Sequence, residues 1–151
     1  MIEKIKHLRV LLPCDQFVLT GSLALHYMGL CPKPNDIDII LVNPTEESKN
    51  ILKRLSEENP AETQFNYPGQ KGYIFMLDGT KIDVFFSEKK RVSKVNVDGI
   101  DISNIPDIVR AKKSYGRIKD WIQMRKTSRV IFKEEEFTNF LNKQDYVGSK
   151  D

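Results

Sequence analysis

The run Asp36-Ile37-Asp38-Ile39-Ile40-Leu41-Val42 limits this chain more than any other stretch. Its second half is wholly apolar and mostly β-branched, which belongs in a buried strand. Its first half alternates acid with isoleucine, so one face of the same strand carries charge. Residues i and i+2 on a strand project to one side, which sets Asp36 and Asp38 together with backbones roughly 6.5–7 Å apart. Two adjacent anions repel, and each resists burial. Either that face is a solvated strand edge, or a cation sits between the acids. Short paired carboxylates suit a hard divalent ion such as Mg²⁺ or Mn²⁺, which completes its shell with water and phosphate.

The elements around this strand follow from local patterns. Ile2, Ile5, Leu8 and Leu12 recur at helical spacing, and Pro13 ends that helix. Gln16–Thr20 reads as a short buried strand broken by Gly21. Ser22 is expected to cap a helix running through Leu23, His26 and Tyr27 to Gly29. The prolines of Cys31-Pro32-Lys33-Pro34 make a loop. Thr45 can cap a helix from Glu46 whose stripe is Ile51, Leu52 and Leu55. After Asn59-Pro60 the period changes to two. Thr63–Tyr67, Gly72–Leu77 and Thr80–Phe86 are expected strands separated by Pro-Gly and Asp-Gly turn signals. Val92–Ser103 adds a strand or hairpin. Ile105, Ile108, Val109, Lys112 and Lys113 open a helical segment that continues past Gly116, with a further short helix near residue 137.

Together these predict one α/β (α+β) domain over residues 1–151, a mixed twisted sheet with helices packed on one side. Its core is expected at about 14–100 and its C-terminal helical segment at about 105–142. A length of 151 residues suits one domain. With 24 Lys and Arg against 21 Asp and Glu, the charge is too evenly mixed to signal nucleic-acid binding. No apolar run approaches the ~20 residues of a membrane span, and the charged start does not resemble a signal peptide. The two cysteines, Cys14 and Cys31, point to a reducing compartment and read as small apolar residues. A cytoplasmic protein is the default expectation. His7 and His26 have no partner at ligand spacing, which argues against zinc. The alternating Phe65, Tyr67, Tyr73 and Phe75 favour sheet packing over base stacking, and Trp121 reads as a core anchor.

Two further features bear on chemistry. Gly21-Ser22 stands at a strand-to-helix turn, where free backbone N–H groups and an absent Cβ allow a phosphate to approach; the same pair can also be a plain cap. Asp83 lies inside the apolar run Ile82–Phe86, where it either joins Asp36 and Asp38 or bonds the backbone locally. The string TGSLALHYMG … NDIDIILV … KIDVFF, within about residues 16–86, resembles the nucleotidyltransferase superfamily, a polymerase-β-like fold. That family's pattern is Gly-Ser, a spacer, Asp-x-Asp, then a third Asp on a later strand. The region from Ile105 to Met124 is similar to small bacterial members of the antibiotic and abortive-infection type.

The resemblance implies transfer of a nucleoside monophosphate from an NTP such as ATP to a hydroxyl, with pyrophosphate released. It assigns Asp36 and Asp38 to one Mg²⁺ or Mn²⁺, Asp38 and Asp83 to a second, and the acceptor's proton to Asp83. It assigns the β- and γ-phosphates to Gly21 and Ser22. Among Lys33, Lys112, Arg117 and Lys119, it favours Lys119 as a further phosphate contact, directed by Asp120. The acceptor could be a small molecule, a protein or an RNA end. A homodimer or a toxin–antitoxin partner fits the small size. The alternative is an inert member of the fold that binds nucleotide or a toxin–antitoxin partner without transfer.

Overall fold

The computed structural model describes residues 1–65, 67, 69–88 and 94–115. Among them are four helices and a six-stranded mixed sheet in the order β3-β4-β2-β1-β6-β5. Helix α1 spans Ile2–Leu11, β1 Gln16–Thr20, α2 Gly21–Tyr27, β2 Asp36–Val42 and α3 Glu46–Glu58. Strand β3 covers Gly72–Leu77, β4 Thr80–Ser87, β5 Lys94–Val97, β6 Ile100–Ser103, and α4 Ile105–Tyr115.

Register explains which side of the sheet is the core. Strand β2 pairs antiparallel with β1, setting Leu19 opposite Ile39 and Phe17 opposite Leu41. It pairs parallel with β4 on its other edge, setting Ile37 opposite Ile82 and Ile39 opposite Val84. Facing residues of neighbouring strands share a side. One face is therefore continuous aliphatic surface, extended by Phe75 of β3 and Ile100 and Ile102 of β6. Helical residues complete this cluster: Ile5, Leu8 and Leu12 at α1, Leu23 to Leu25 of α2, Leu52 of α3 and Ile108 of α4. The core thus includes residues on both sides of the 14–100 span. The amphipathic stripe of α3 is anchored at its start, where the Thr45 hydroxyl accepts from the Ser48 N–H at 3.1 Å.

The other face divides along the strands. One end is apolar, with Val18 and Val42 fully buried; the other carries Asp36, Asp38, Lys81 and Asp83. Each outer hairpin turns on an Asp-Gly pair, both residues at positive φ: Asp78-Gly79 between β3 and β4, Asp98-Gly99 between β5 and β6. That conformation fits the tight two-residue turn whose twist matches the strands.

Two expectations are corrected. Thr63–Tyr67 is not a strand at its described residues. Its alternating aromatics instead lay Phe65 and Tyr67 against Phe85 of β4, with ring centroids 5.5 and 4.8 Å away. Gly72 makes room for this, since a Cβ there would meet the Phe65 ring and the Val84 carbonyl. Ser22 is not the cap of α2. The helix begins at Gly21, whose φ of 68° turns the chain sharply out of β1, so Ser22 falls within the first turn. The segments expected around Arg117–Lys126 and Glu134–Lys143 lie outside the described residues.

Candidate functional site

The site is assembled by strand register before any side chain chooses a rotamer. In the parallel β2–β4 pair, Asp38 stands directly opposite Asp83, and Asp36 opposite Lys81. Neighbouring strands run about 4.8 Å apart, so the facing carboxyls meet. Asp38 and Asp83 lie within hydrogen-bond reach of each other. Burial first, then the negative charge and contact of Asp83, push the Asp38 carboxyl well above the usual carboxylate range. Lys112 partly opposes this and Asp36 adds to it. Two carboxylates in contact are two acceptors, so they share the site only with a proton or a cation between them.

Asp83 is buried, with its side chain 2% exposed. Its Oδ2 accepts from the Tyr67 hydroxyl at 3.3 Å. Its Oδ1 is buried without a hydrogen-bond partner. An unsatisfied buried oxygen costs about 1–3 kcal/mol, more when charged, so a fold retains one where something else completes it. Lys81, two residues earlier on the same face, holds its Nζ 3.5 Å from Asp36 Oδ2 and 3.9 Å from Asp83 Oδ2.

Gly21 forms the floor. A Cβ at this position would overlap the Asp38 carboxylate, so the backbone at the start of α2 lies directly against Asp38. Ser22 stands beside them. Its hydroxyl accepts from Lys112 Nζ of α4 at 3.2 Å, and its carbonyl accepts from Cys31 Sγ at 3.2 Å. Lys112 is largely buried, so its ammonium faces the acids rather than solvent.

The structure thus brings together Asp36, Asp38, Asp83, Gly21 and Ser22. Lys33 is exposed in the loop before β2, while Arg117, Lys119, Asp120 and Trp121 lie outside the described residues. His26 is a packing residue, its Nδ1 2.9 Å from the Cys31 carbonyl. Lys112, one of the basic candidates, is joined to Ser22 across 90 residues. Two neighbours were not singled out as site residues in the sequence: Tyr67 reaches in from a connecting segment, and Lys81 shares a strand face with Asp83 through its i−2 relation.

The donor set fits a hard divalent cation: carboxylate oxygens alone, one buried and unpartnered, beside a glycine floor. Among the described residues no three acids, histidines or cysteines are already gathered as a metal cage; Asp36 is turned toward Lys81 instead. A separate concavity of about 260 Å³ lies at the far end of β1, lined in part by Arg9, Cys14, Lys94 and Asp101. Both of its acids have donors: Asp101 accepts from Lys94 at 2.7 Å and Asn96 at 3.1 Å, and Asp15 accepts from Asn43 at 3.0 Å.

Among the described residues no helix is long and apolar enough to cross a membrane. No family model and no curated protein matches the sequence. Among solved structures the chain is similar to a putative nucleotidyltransferase from Thermotoga maritima, with 17% identity and a TM-score of 0.47, covering 94% of this chain and 91% of that one. At that identity and score the likeness bears on neither activity nor substrate.

Proposed function

We propose that this chain is a metal-dependent nucleotidyltransferase, moving a nucleoside monophosphate from an NTP to a hydroxyl acceptor and releasing pyrophosphate. The observation that carries the reading is the facing pair Asp38–Asp83, with Asp38 against Gly21 and a buried oxygen of Asp83 unpartnered. A structural role for that pair would have supplied donors to both carboxyls. A phosphate-binding role requires the opposite: acids held in reserve for a cation, beside backbone that tolerates close approach.

Asp36, Asp38 and Asp83 would hold Mg²⁺ or Mn²⁺, which when bound neutralises the triphosphate and acidifies the acceptor hydroxyl. Asp83 accepts that hydroxyl's proton, being the most enclosed of the three and the one already bonded to an O–H donor. Ser22 and Lys112 present a hydroxyl and an ammonium beside Asp38, where the phosphates of the donor would be neutralised and the leaving pyrophosphate steadied. In this reading Lys112 takes the part that the sequence had suggested for Lys119.

Lys81 favours a second reading. A built-in ammonium between Asp36 and Asp83 offsets their charge without any metal, as an inert nucleotide-binding or partner-binding descendant would need. One experiment separates the two. Purified protein with Mn²⁺ and each labelled NTP is incubated with cell lysate, and labelled products are identified. Transfer is expected, and Asp36→Ala or Asp38→Ala is expected to abolish it while the melting transition persists. Wild-type rates in either variant would overturn the transferase reading.

A further inference from the structure

We propose that Tyr67 is itself an acceptor, so that the protein attaches one nucleotide to its own phenol in cis. The inference rests on the transferase reading above and adds a substrate to it. Asp83, the proton acceptor in that reading, has a side chain 2% exposed, so a hydroxyl already in contact with it is placed ahead of one arriving from solvent. The hydroxyl that Asp83 holds is that of Tyr67, at 3.3 Å from Oδ2. The position where an acceptor must stand is therefore occupied by a group with acceptor chemistry.

The Tyr67 ring is held there. Phe65 and Phe85 meet it edge-on at centroid distances of 5.0 and 4.8 Å, contacts that fix the ring plane and aim its oxygen. Phe65 is seated in turn over Gly72, where any side chain would displace it. A phenol has the groups the task needs, an O–H that a carboxylate can deprotonate and an oxygen that can attack phosphorus. The Lys81 ammonium also lies near Asp83 Oδ2, at 3.9 Å.

The step balances without an oxidant or reductant. The Tyr67 proton passes to Asp83 Oδ2, and the phenolic oxygen bonds to the α-phosphorus of the nucleoside triphosphate. The bond from that phosphorus to the bridging oxygen of the β-phosphate breaks. Pyrophosphate leaves with the electron pair. The product is a tyrosyl phosphodiester, and because the phenol has a single nucleophilic oxygen, Tyr67 carries one such linkage.

The full chain is incubated with Mn²⁺ and each labelled nucleoside triphosphate without added acceptor, then followed by intact mass and peptide mapping. A single adduct on Tyr67 is expected, forming at a first-order rate independent of protein concentration. Asp83→Asn should slow it roughly 10²–10⁴-fold, and Tyr67→Phe should abolish it. An adduct on another residue, label persisting in Tyr67→Phe, or a rate that scales with protein concentration overturns the inference. Mapping the wild-type adduct decides the matter even where Tyr67→Phe folds poorly. Wild-type protein that labels lysate acceptors but stays unmodified overturns this inference alone. Absence of any labelled product overturns it together with the transferase reading.

Discussion

The two outer hairpins are built alike and used differently. Each turns on Asp-Gly, each is tied to α1 by one basic side chain, and each carries an aspartate on the face opposite the core. Lys4 donates to the Asp78 carbonyl at 3.3 Å, and Arg9 to the Gly99 carbonyl at 2.8 Å. In the β5–β6 hairpin, Asp101 has two donors, and the Lys94 hydrogen bond leads in holding its carboxyl below the usual range. In the β3–β4 hairpin, Asp83 is buried against another acid with one oxygen unpartnered. The same residue type on the same architecture is satisfied in one place and left short in the other. In the proposed reading, that contrast places the ligand beside Asp83.

The sharpest way to break the contrast is to neutralise each acid in turn. Asp83→Asn should lower nucleotidyl transfer about 10²–10⁴-fold, while Asp101→Asn leaves it at the wild-type rate; equal losses in a transfer assay would erase the distinction. Next come the glycines. Gly21→Ala meets both a positive φ and the Asp38 carboxylate, whereas Gly99→Ala meets a positive φ and open space. Denaturant melts should give a loss of about 1 kcal/mol for Gly99→Ala and at least about 2–3 kcal/mol for Gly21→Ala.

The two acid sites also titrate in opposite senses. The raised Asp38 carboxyl binds its proton more tightly folded than unfolded. Its stabilisation is fully present below the unfolded carboxylate pKa and is lost as pH rises through the folded value. The depressed Asp101 carboxyl stabilises above its unfolded pKa, and that contribution disappears as pH falls through the folded value. Melting temperature against pH, without divalent ion, should therefore decline on both sides. The slope approaches about 1.4 kcal/mol per pH unit where one proton is exchanged. Asp38→Asn should flatten the upper limb, and Asp101→Asn the acid limb; an upper limb unchanged in Asp38→Asn would remove the shared-proton account. The smallest effect is the stability change in Asp101→Asn at neutral pH, about 0.2–1 kcal/mol for a partly solvated ion pair.

Much of this was readable where the pattern is local. The acid–isoleucine alternation announced β2 together with its charged face. Thr45 announced α3, and Asp78-Gly79 announced the β3–β4 hairpin. Thr63–Tyr67 misled because alternation records which sides of a segment meet different surroundings, not whether its backbone is paired. Ser22 was displaced as a cap because a positive φ at Gly21 starts the helix one residue early, and φ is not visible in residue type alone. The strand order was hidden for another reason. That β2 lies between β1 and β4, and that β1 pairs with β6, is settled by packing across long stretches of chain. The Lys112–Ser22 contact, spanning 90 residues, falls in the same class.

The parallel pairing of β2 with β4 has one more consequence. Ile37, Ile39, Ile82 and Val84 must all point at the helices, so a slip by one residue would turn an entire strand inside out. The apolar residues thereby act as a vernier for the charged ones. Once the oily side has found its neighbours, Asp38 and Asp83 are already aligned, and the electrostatic expense of setting like charges face to face is met by packing on the far side of the same two strands.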